Sequence, residues 1–321
     1  MNFNLLIDNL TNPALLFFVL GILAVYLKSD LEIPSNSSKF ISLYLLFAIG
    51  FKGGQELSHE SFTSEIGWSM LFGIGISLII PLYTFFILKR RLNVFDAGAI
   101  ASAYGSVSAV TFVTAVSYLE TQELTLHGHM VAIMALMESP AIIIGLLLIS
   151  LFNREEVNTI NKRTVMIHSF TNGSVLLILG SLIIGYMANA QQAEGIKPFT
   201  NDLFKGFLAI FLLDMGITSG RKLKAFFSFG WFPVIFAIVI PLVNGCLFAF
   251  LSSYVTEDIS NRFILSILAA SASYIAVPAA MKLSVPQANP GLFLPMALAV
   301  TFPINITIGM PLYFWFIQNT G

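Results

Sequence analysis

Glu138 is the one carboxylate inside a long apolar run, Met130–Phe152. It is the ninth residue of that run, roughly 13 Å along a helix that rises 1.5 Å per residue. That depth is near the middle of a bilayer, where an ionised carboxylate costs several kcal/mol unless it has a partner. Two chemistries fit such a group: holding a cation or carrying a proton. Pro140 follows closely, lacks an N–H and frees a carbonyl of the preceding turn. A second set of candidates is hydroxylic. Ser106, Ser108 and Thr111 fall in the segment 101–111, and Ser271 and Ser273 in the segment 269–278. Gly105 interrupts the first segment and Pro278 the second, and both residue types weaken a helix interior. Helices broken there would expose half-helix N-termini whose free N–H groups and positive partial charge suit an anion. Freed carbonyls nearby would suit a cation such as Na+. The plainer alternative is close helix packing, with hydroxyls bonded back to their own carbonyls; the recurrence at matched places favours a site. Neither segment holds Lys or Arg, so a bound anion would depend on helix ends, hydroxyls and a co-bound cation. That suits a small, singly charged oxyanion.

Other chemistries are excluded or weak. No glycine-rich phosphate loop followed by Lys-Ser/Thr is present, nor a His-Glu-x-x-His pair. No nucleophile–base pair is visible, so the chain reads as a non-enzyme with no organic cofactor. Cys246 is the single cysteine, which excludes an internal disulfide and a cysteine metal cage; in its apolar run it reads as a small buried hydrophobe. No metal beyond sodium is expected. His59, His127, His129 and His168 fall in or near loops and read as solvated. Asp214 lies close enough to Arg221 and Lys222 for a structural role. A net charge of -1 excludes a nucleic-acid partner recruited by phosphate neutralisation.

The elements that must position these residues are membrane spans. Hydrophobic residues make up 56% and charged residues 10%, against about 45–50% and 25% in soluble domains. Mean hydropathy is +0.84, so most of the surface must face lipid. The N-terminal MNFNLLIDNL has no Lys or Arg and so lacks the basic region of a cleaved signal peptide. Apolar runs near the necessary length of about 20 residues predict ten spans: 10–27, 39–52, 66–88, 96–119, 129–152, 170–190, 203–219, 226–254, 262–282 and 291–317. The second and seventh are short and end in Gly50–Gly54 and Gly216–Gly220, spacings that usually pack helices. With the N-terminus outside, the inside loops hold Lys28, Lys39, Lys89, Arg90, Arg91, Arg154, Lys162, Arg163, Arg221, Lys222, Lys224 and Lys282. Only Lys52, Lys197, Lys205 and Arg262 remain outside. This three-to-one bias fits the positive-inside rule with both termini outside.

The halves also echo each other. Leu20-Gly21 matches Leu179-Gly180, Gly50–Leu57 matches Gly216–Leu223, and Gly67-Trp68 matches Gly230-Trp231. Pro81 matches Pro241, Ser106/Ser108 match Ser271/Ser273, and Ser139-Pro140 matches Phe302-Pro303. The set is collinear. Five spans per copy is odd, so the second copy must be inverted, as in many secondary transporters. The expected fold is an all-α integral membrane protein of about ten helices in two inverted five-helix repeats, broken in spans four and nine. The expected units are 1–153, a cytoplasmic connector 154–169, and 170–321.

At these residues the sequence resembles the sodium-dependent bicarbonate transporter family, best known from cyanobacteria (the Sbt type). The matching stretches are Ile49–Gly54, Gly105-x-Val107-Ser108-x-x-Thr111, Glu138-Ser-Pro140-Ala141 and Ser284–Pro290, spread through nearly the whole chain. The resemblance implies a core domain (spans 3–5 and 8–10) moving against a gate domain (spans 1–2 and 6–7). It also implies a homotrimer, a PII-like cytoplasmic regulator, and Na+-coupled uptake of bicarbonate across the inner (plasma) membrane. Its site maps onto Gly105–Thr111, Ser271–Ala276 and Glu138. By that mapping, Ser106, Ser108, Ala109, Thr111, Ser271, Ser273 and Ala276 bind substrate, and Gly105, Ser108, Glu138 and Ser273 bind sodium. The chain departs from the family pattern in places. Glu138 stands where the family usually has Asp, and Val110 where it has a hydroxyl. Tyr274, Ala276, Pro278 and Ala279 stand where an acid, a serine and two prolines are usual, and the loop between the halves is short. The first expectation is therefore Na+-coupled symport of bicarbonate or a similar small monovalent anion. The alternatives are Na+- or H+-coupled transport of another small carboxylate, and a channel or receptor on the same scaffold.

Overall fold

A computed structural model describes residues 12–153 and 173–320. Every regular element among them is helical. In chain order they are α1 (Pro13–Tyr26), α2 (Ser35–His59), α3 (Ser64–Leu88), α4 (Val94–Gly105), α5 (Ala109–Thr121) and α6 (Gly128–Phe152). There follow α7 (Gly173–Met187), α8 (Ala190–Lys197), α9 (Phe204–Phe226), α10 (Trp231–Leu251), α11 (Ile259–Ala270) and α12 (Ala276–Ser284). Last comes α13 (Pro290–Thr320), whose middle winds through π-helical turns. Arg154–Arg163, the 154–169 connector and His168 lie outside the described residues.

Polar caps set the helix starts between apolar runs. Asn12 accepts the Ala14 N–H at 2.9 Å with Pro13 in the first turn, and Asn93 accepts the Asp96 N–H at 2.8 Å. Asp258 does the same for Asn261 at 2.8 Å, closing off one of the free donors at the start of α11. Six stretches are long and apolar enough to cross a membrane: Ser64–Leu88, Val94–Thr121, Gly128–Phe152, Ala190–Leu223, Trp231–Tyr254 and Pro290–Thr320. Pro13–Tyr26, Leu176–Met187 and Ile259–Ala270 are shorter apolar helices. The protein is a multi-pass membrane protein. Its outer faces agree: Ile235, Val239, Val243 and Leu247 form an exposed apolar stripe at every fourth residue of α10, a surface that suits lipid and not water.

Two helix pairs pack backbone to backbone. Gly21 of α1 lies against the Leu213 carbonyl and Gly216 of α9, and Gly54 of α2 against the Leu182 carbonyl and Gly185 of α7. A Cβ at either glycine would overlap the partner's main chain, so only glycine permits the approach. Contacts advance in the same direction along both members, from Phe18–Gly216 to Val25–Gly220 and from Gly50–Ile178 to Gly54–Tyr186. Both pairs are therefore parallel. Gly180, the sequence match of Gly21, meets nothing within 4 Å, and Gly185 makes the close contact instead. The expected shortness of the second and seventh spans is corrected too. α2 has 25 residues and α9 has 23, because packing keeps their glycine stretches helical.

Around these pairs, α3, α4 and α6 pack together, as do α10, α11 and the end of α13. Some buried polar groups pair across these helices. Tyr104 and Thr301 hydroxyls meet at 2.7 Å, and Thr301 donates to the Ala237 carbonyl at 2.8 Å.

Candidate functional site

The backbone leaves the helix at Ser106–Ser108, between α4 and α5, and again at Ser271–Ile275, between α11 and α12. The two breaks bond to each other. The Ser273 N–H donates to the Ala103 carbonyl at 2.8 Å, and the Ser108 N–H to the Ser271 hydroxyl oxygen at 3.1 Å. Each contact satisfies a main-chain group that the broken helix would leave bare. Ser108 and Ser273 also cap the helices that follow, accepting the Thr111 N–H at 3.2 Å and the Val277 N–H at 3.3 Å. Ser271 donates back to the Leu268 carbonyl at 2.9 Å, so at this residue the plainer back-bonded pattern holds as well.

A cavity of about 20 Å³ lies where these ends meet, lined by Val107, Ser108, Ala109, Glu138, Ser273, Tyr274, Ile275 and Ala276. One water needs about 10–15 Å³, so the cavity has room for one ion-sized or water-sized body. Glu138 reaches it from the middle of α6 and makes no hydrogen bond or ion pair with a described residue. No Lys or Arg lines the cavity. The arrangement is one carboxylate and two serines around a small space, beside the first residues of two helices. Oxygen ligands of this kind suit a hard monovalent or divalent cation, and the helix starts suit an anion. Among the described residues, no cluster of three or more His, Cys, Asp or Glu could hold a metal ion.

Of the residues singled out in the sequence, Ser108, Ala109, Glu138, Ser273 and Ala276 meet at the cavity, and Gly105, Ser106, Thr111 and Ser271 do not line it. Gly105 packs against Pro81 and Ala141, where a Cβ would clash. The Ser106 hydroxyl is fully buried and unpartnered. Thr111 contributes its capped N–H, and Ser271 braces the opposite break. Val107, Tyr274 and Ile275 are additional liners. Asn244 and Asn305 were also missed: their amides donate to the Ala269 and Ala270 carbonyls at 3.2 and 2.7 Å, at the broken end of α11. Their signal was available, since each is a lone amide in an apolar span.

Two larger spaces flank the site toward opposite ends of α2. Near its start, a vestibule of about 460 Å³ is lined by Ser38, Lys39, Ser42, Asp214, Thr218 and Arg221, among others, and reaches Tyr274 and Ile275. Asp214 accepts a hydrogen bond from Ser38 there. Further along, a pocket of about 250 Å³ is lined by Lys52, Glu120, Asn201, Asp202 and Lys205, and shares no residue with the cavity. Lys52 pairs with Glu120 at 2.7 Å, and Lys205 approaches the same carboxylate at 3.4 Å.

Beyond that pocket, Glu60 accepts the Gly128 N–H and bonds His129 Nδ1, both at 2.8 Å. His127 lies between Glu60 at 3.4 Å and Asp258 at 3.5 Å. The solvated reading is thus corrected at His129, which is buried because α6 packs its start against α2 and Glu60 offers a partner. Contact with Asp258 holds the His127 imidazole above its ordinary pKa despite burial. For Asp258, burial pushes upward, but His127 and the backbone N–H of Asn261 outweigh it and hold the carboxyl below its usual range.

A comparison with curated proteins gives no match. A family model for transporters, not enzymes, matches residues 13–318. Its span includes both breaks, Glu138 and every cavity-lining residue, and the chain belongs to the Na+-dependent bicarbonate transporter superfamily.

Proposed function

We propose that this protein is a secondary transporter coupling inward Na+ movement to uptake of bicarbonate or a similar small monovalent anion. The observation that carries the reading is the unpartnered Glu138 carboxylate at a cavity between two half-helix starts. With Na+ at Glu138 the two charges cancel, and the adjoining N–H ends and serine hydroxyls then favour an anion. A tenfold Na+ gradient supplies about 1.4 kcal/mol. One Na+ with one bicarbonate is neutral, so it forgoes the roughly 2.3 kcal/mol per charge that 100 mV would add.

The proposal includes ten crossings in two inverted repeats, 1–153 and 170–321, joined by the 154–169 connector. Exchange of the halves supports it: the α2–α7 pair corresponds to α9–α1, and the break between α4 and α5 to that between α11 and α12. Spans 1–2 and 6–7 would form the gate domain and spans 3–5 and 8–10 the core domain. By charge bias, the end bearing Lys39, Lys89 and Arg221 faces the cytoplasm and both termini lie outside, in the inner membrane. The homotrimer and the PII-like regulator come with the family resemblance.

The test is uptake of labelled bicarbonate into proteoliposomes. Uptake should saturate and should rise at least tenfold with an inward Na+ gradient. Equal uptake with Na+ replaced by K+ would overturn Na+ coupling. If only a proton gradient drives uptake, Glu138 is a proton carrier. Flux without saturation would make the protein a channel.

A further inference from the structure

The small cavity and the larger vestibule share two lining residues, Tyr274 and Ile275. Tyr274 is the larger and is buried, whereas Ile275 is 39% exposed and turned largely outward. The Tyr274 ring stands edge-on to Phe302 at 6.1 Å, and Phe302 in turn meets Phe18 of α1 at 5.7 Å. Its hydroxyl faces the Ser108 side chain. The residue lies in the non-helical break, between Ser273, whose N–H is anchored on Ala103, and the start of α12. No ladder hydrogen bond of a regular helix runs through this segment, so its side chain can swing without unwinding an element.

A cavity of about 20 Å³ is too small for a four-heavy-atom oxyanion beside a cation. Something must move before such an anion passes, and Tyr274 and Ile275 are the residues that the cavity and the vestibule share. We infer that Tyr274 is the gate between cavity and vestibule: its ring blocks passage, and its hydroxyl donates to an oxyanion leaving toward the Lys39–Arg221 side. This rests on the transport reading for what passes, but the barrier itself can be measured without any transport.

In a Cys246→Ala background, a cysteine replacing Ser273 reports access to the cavity, and one replacing Ser42 reports access to the vestibule. A sulfonate-bearing methanethiosulfonate is the probe, applied to monodisperse purified protein. The Ser42→Cys variant should react quickly whatever stands at position 274. The Ser273→Cys variant should react slowly with Tyr274 present and at least tenfold faster with Tyr274→Ala or Tyr274→Val. Tyr274→Phe keeps the ring, so labelling should stay slow while the half-saturating anion concentration rises about fivefold. Ile275→Ala should change the Ser273→Cys rate by less than twofold. Unchanged slow labelling in both Tyr274→Ala and Tyr274→Val, or fast labelling with Tyr274 intact, would overturn the gate. A fast rate appearing only with Ile275→Ala would assign the barrier to Ile275 instead. Failure of bicarbonate uptake with the expected labelling pattern would overturn the substrate and leave the gate standing.

Discussion

At the far end of α2, Lys52 and Glu60 tie this helix to α5 and α6 through Glu120, His129 and the Gly128 N–H. At its near end, Lys39 lines a vestibule of about 460 Å³ that runs to Tyr274. The two lysines sit on one helix, roughly 20 Å apart along its axis. One end is fastened by charge between separate helices. The other is open as far as one aromatic ring. In an alternating-access transporter these roles must exchange, so the ionic contacts are the ones that have to break. They are also partly exposed (Lys52 31%, Glu120 27%), which keeps them weak enough to break.

The largest expected effect comes from forbidding that exchange. With Lys52→Cys and Glu120→Cys in a Cys246→Ala background, a short reducible thiol crosslinker should cut uptake at least tenfold, and a reductant should restore it. Full uptake in crosslinked protein would mean that α2 and α5 never part. Next comes the group midway between the ends. Glu138→Gln keeps shape and one oxygen but removes a charge-assisted contact of about 2 kcal/mol, which is about 30-fold in Na+ half-saturation. Glu138→Asp should retain partial activity. An unchanged half-saturation in the Gln variant would remove Glu138 from the sodium site.

A smaller change follows from loosening the fastened end. Glu120→Ala removes a pair of about 1 kcal/mol, so labelling of a Val116→Cys reporter in the flanking pocket should rise about fivefold. No increase would show that the pair does not hold that end shut. The smallest effect is pH-dependent. Because the folded pKa of His127 is raised, its contribution to stability is whole below about pH 6.5 and is lost as pH rises through the folded value. Asp258, held low, keeps its contribution above about pH 4 and loses it only on acidification. The melting temperature should therefore decline as pH rises above about 6.5, and His127→Gln should flatten that decline. An identical slope in the variant would mean that His127 does not titrate with folding.

What the sequence disclosed follows the same division. The two breaks and Glu138 were legible because small, hydroxylic and acidic residues contradict their apolar surroundings. Val107 and Ile275 gave no such signal, since an apolar liner looks like any lipid-facing residue. Tyr274 was visible only as a departure from the family pattern; its place between two spaces depends on how α12 lies against α4 and α6. Glu60–His129 and Lys52–Glu120 join residues nearly 70 positions apart. No periodicity marks such a pair, because helix packing and not spacing brings the charges together. The glycine stretches were legible as packing surfaces, but their partners were not.

Those partners set a timetable for assembly. α1 packs on α9, which is synthesised about 190 residues later, or roughly 10–40 s at 5–20 residues per second. Until then the glycine face of α1 has lipid or another chain in place of Leu213 and Gly216. α2 waits in the same way for α7. Neither half completes its own helix pairs, so the first half made alone should be held by insertion machinery or degraded, and the two halves made as separate chains should recover structure only when they are inserted together.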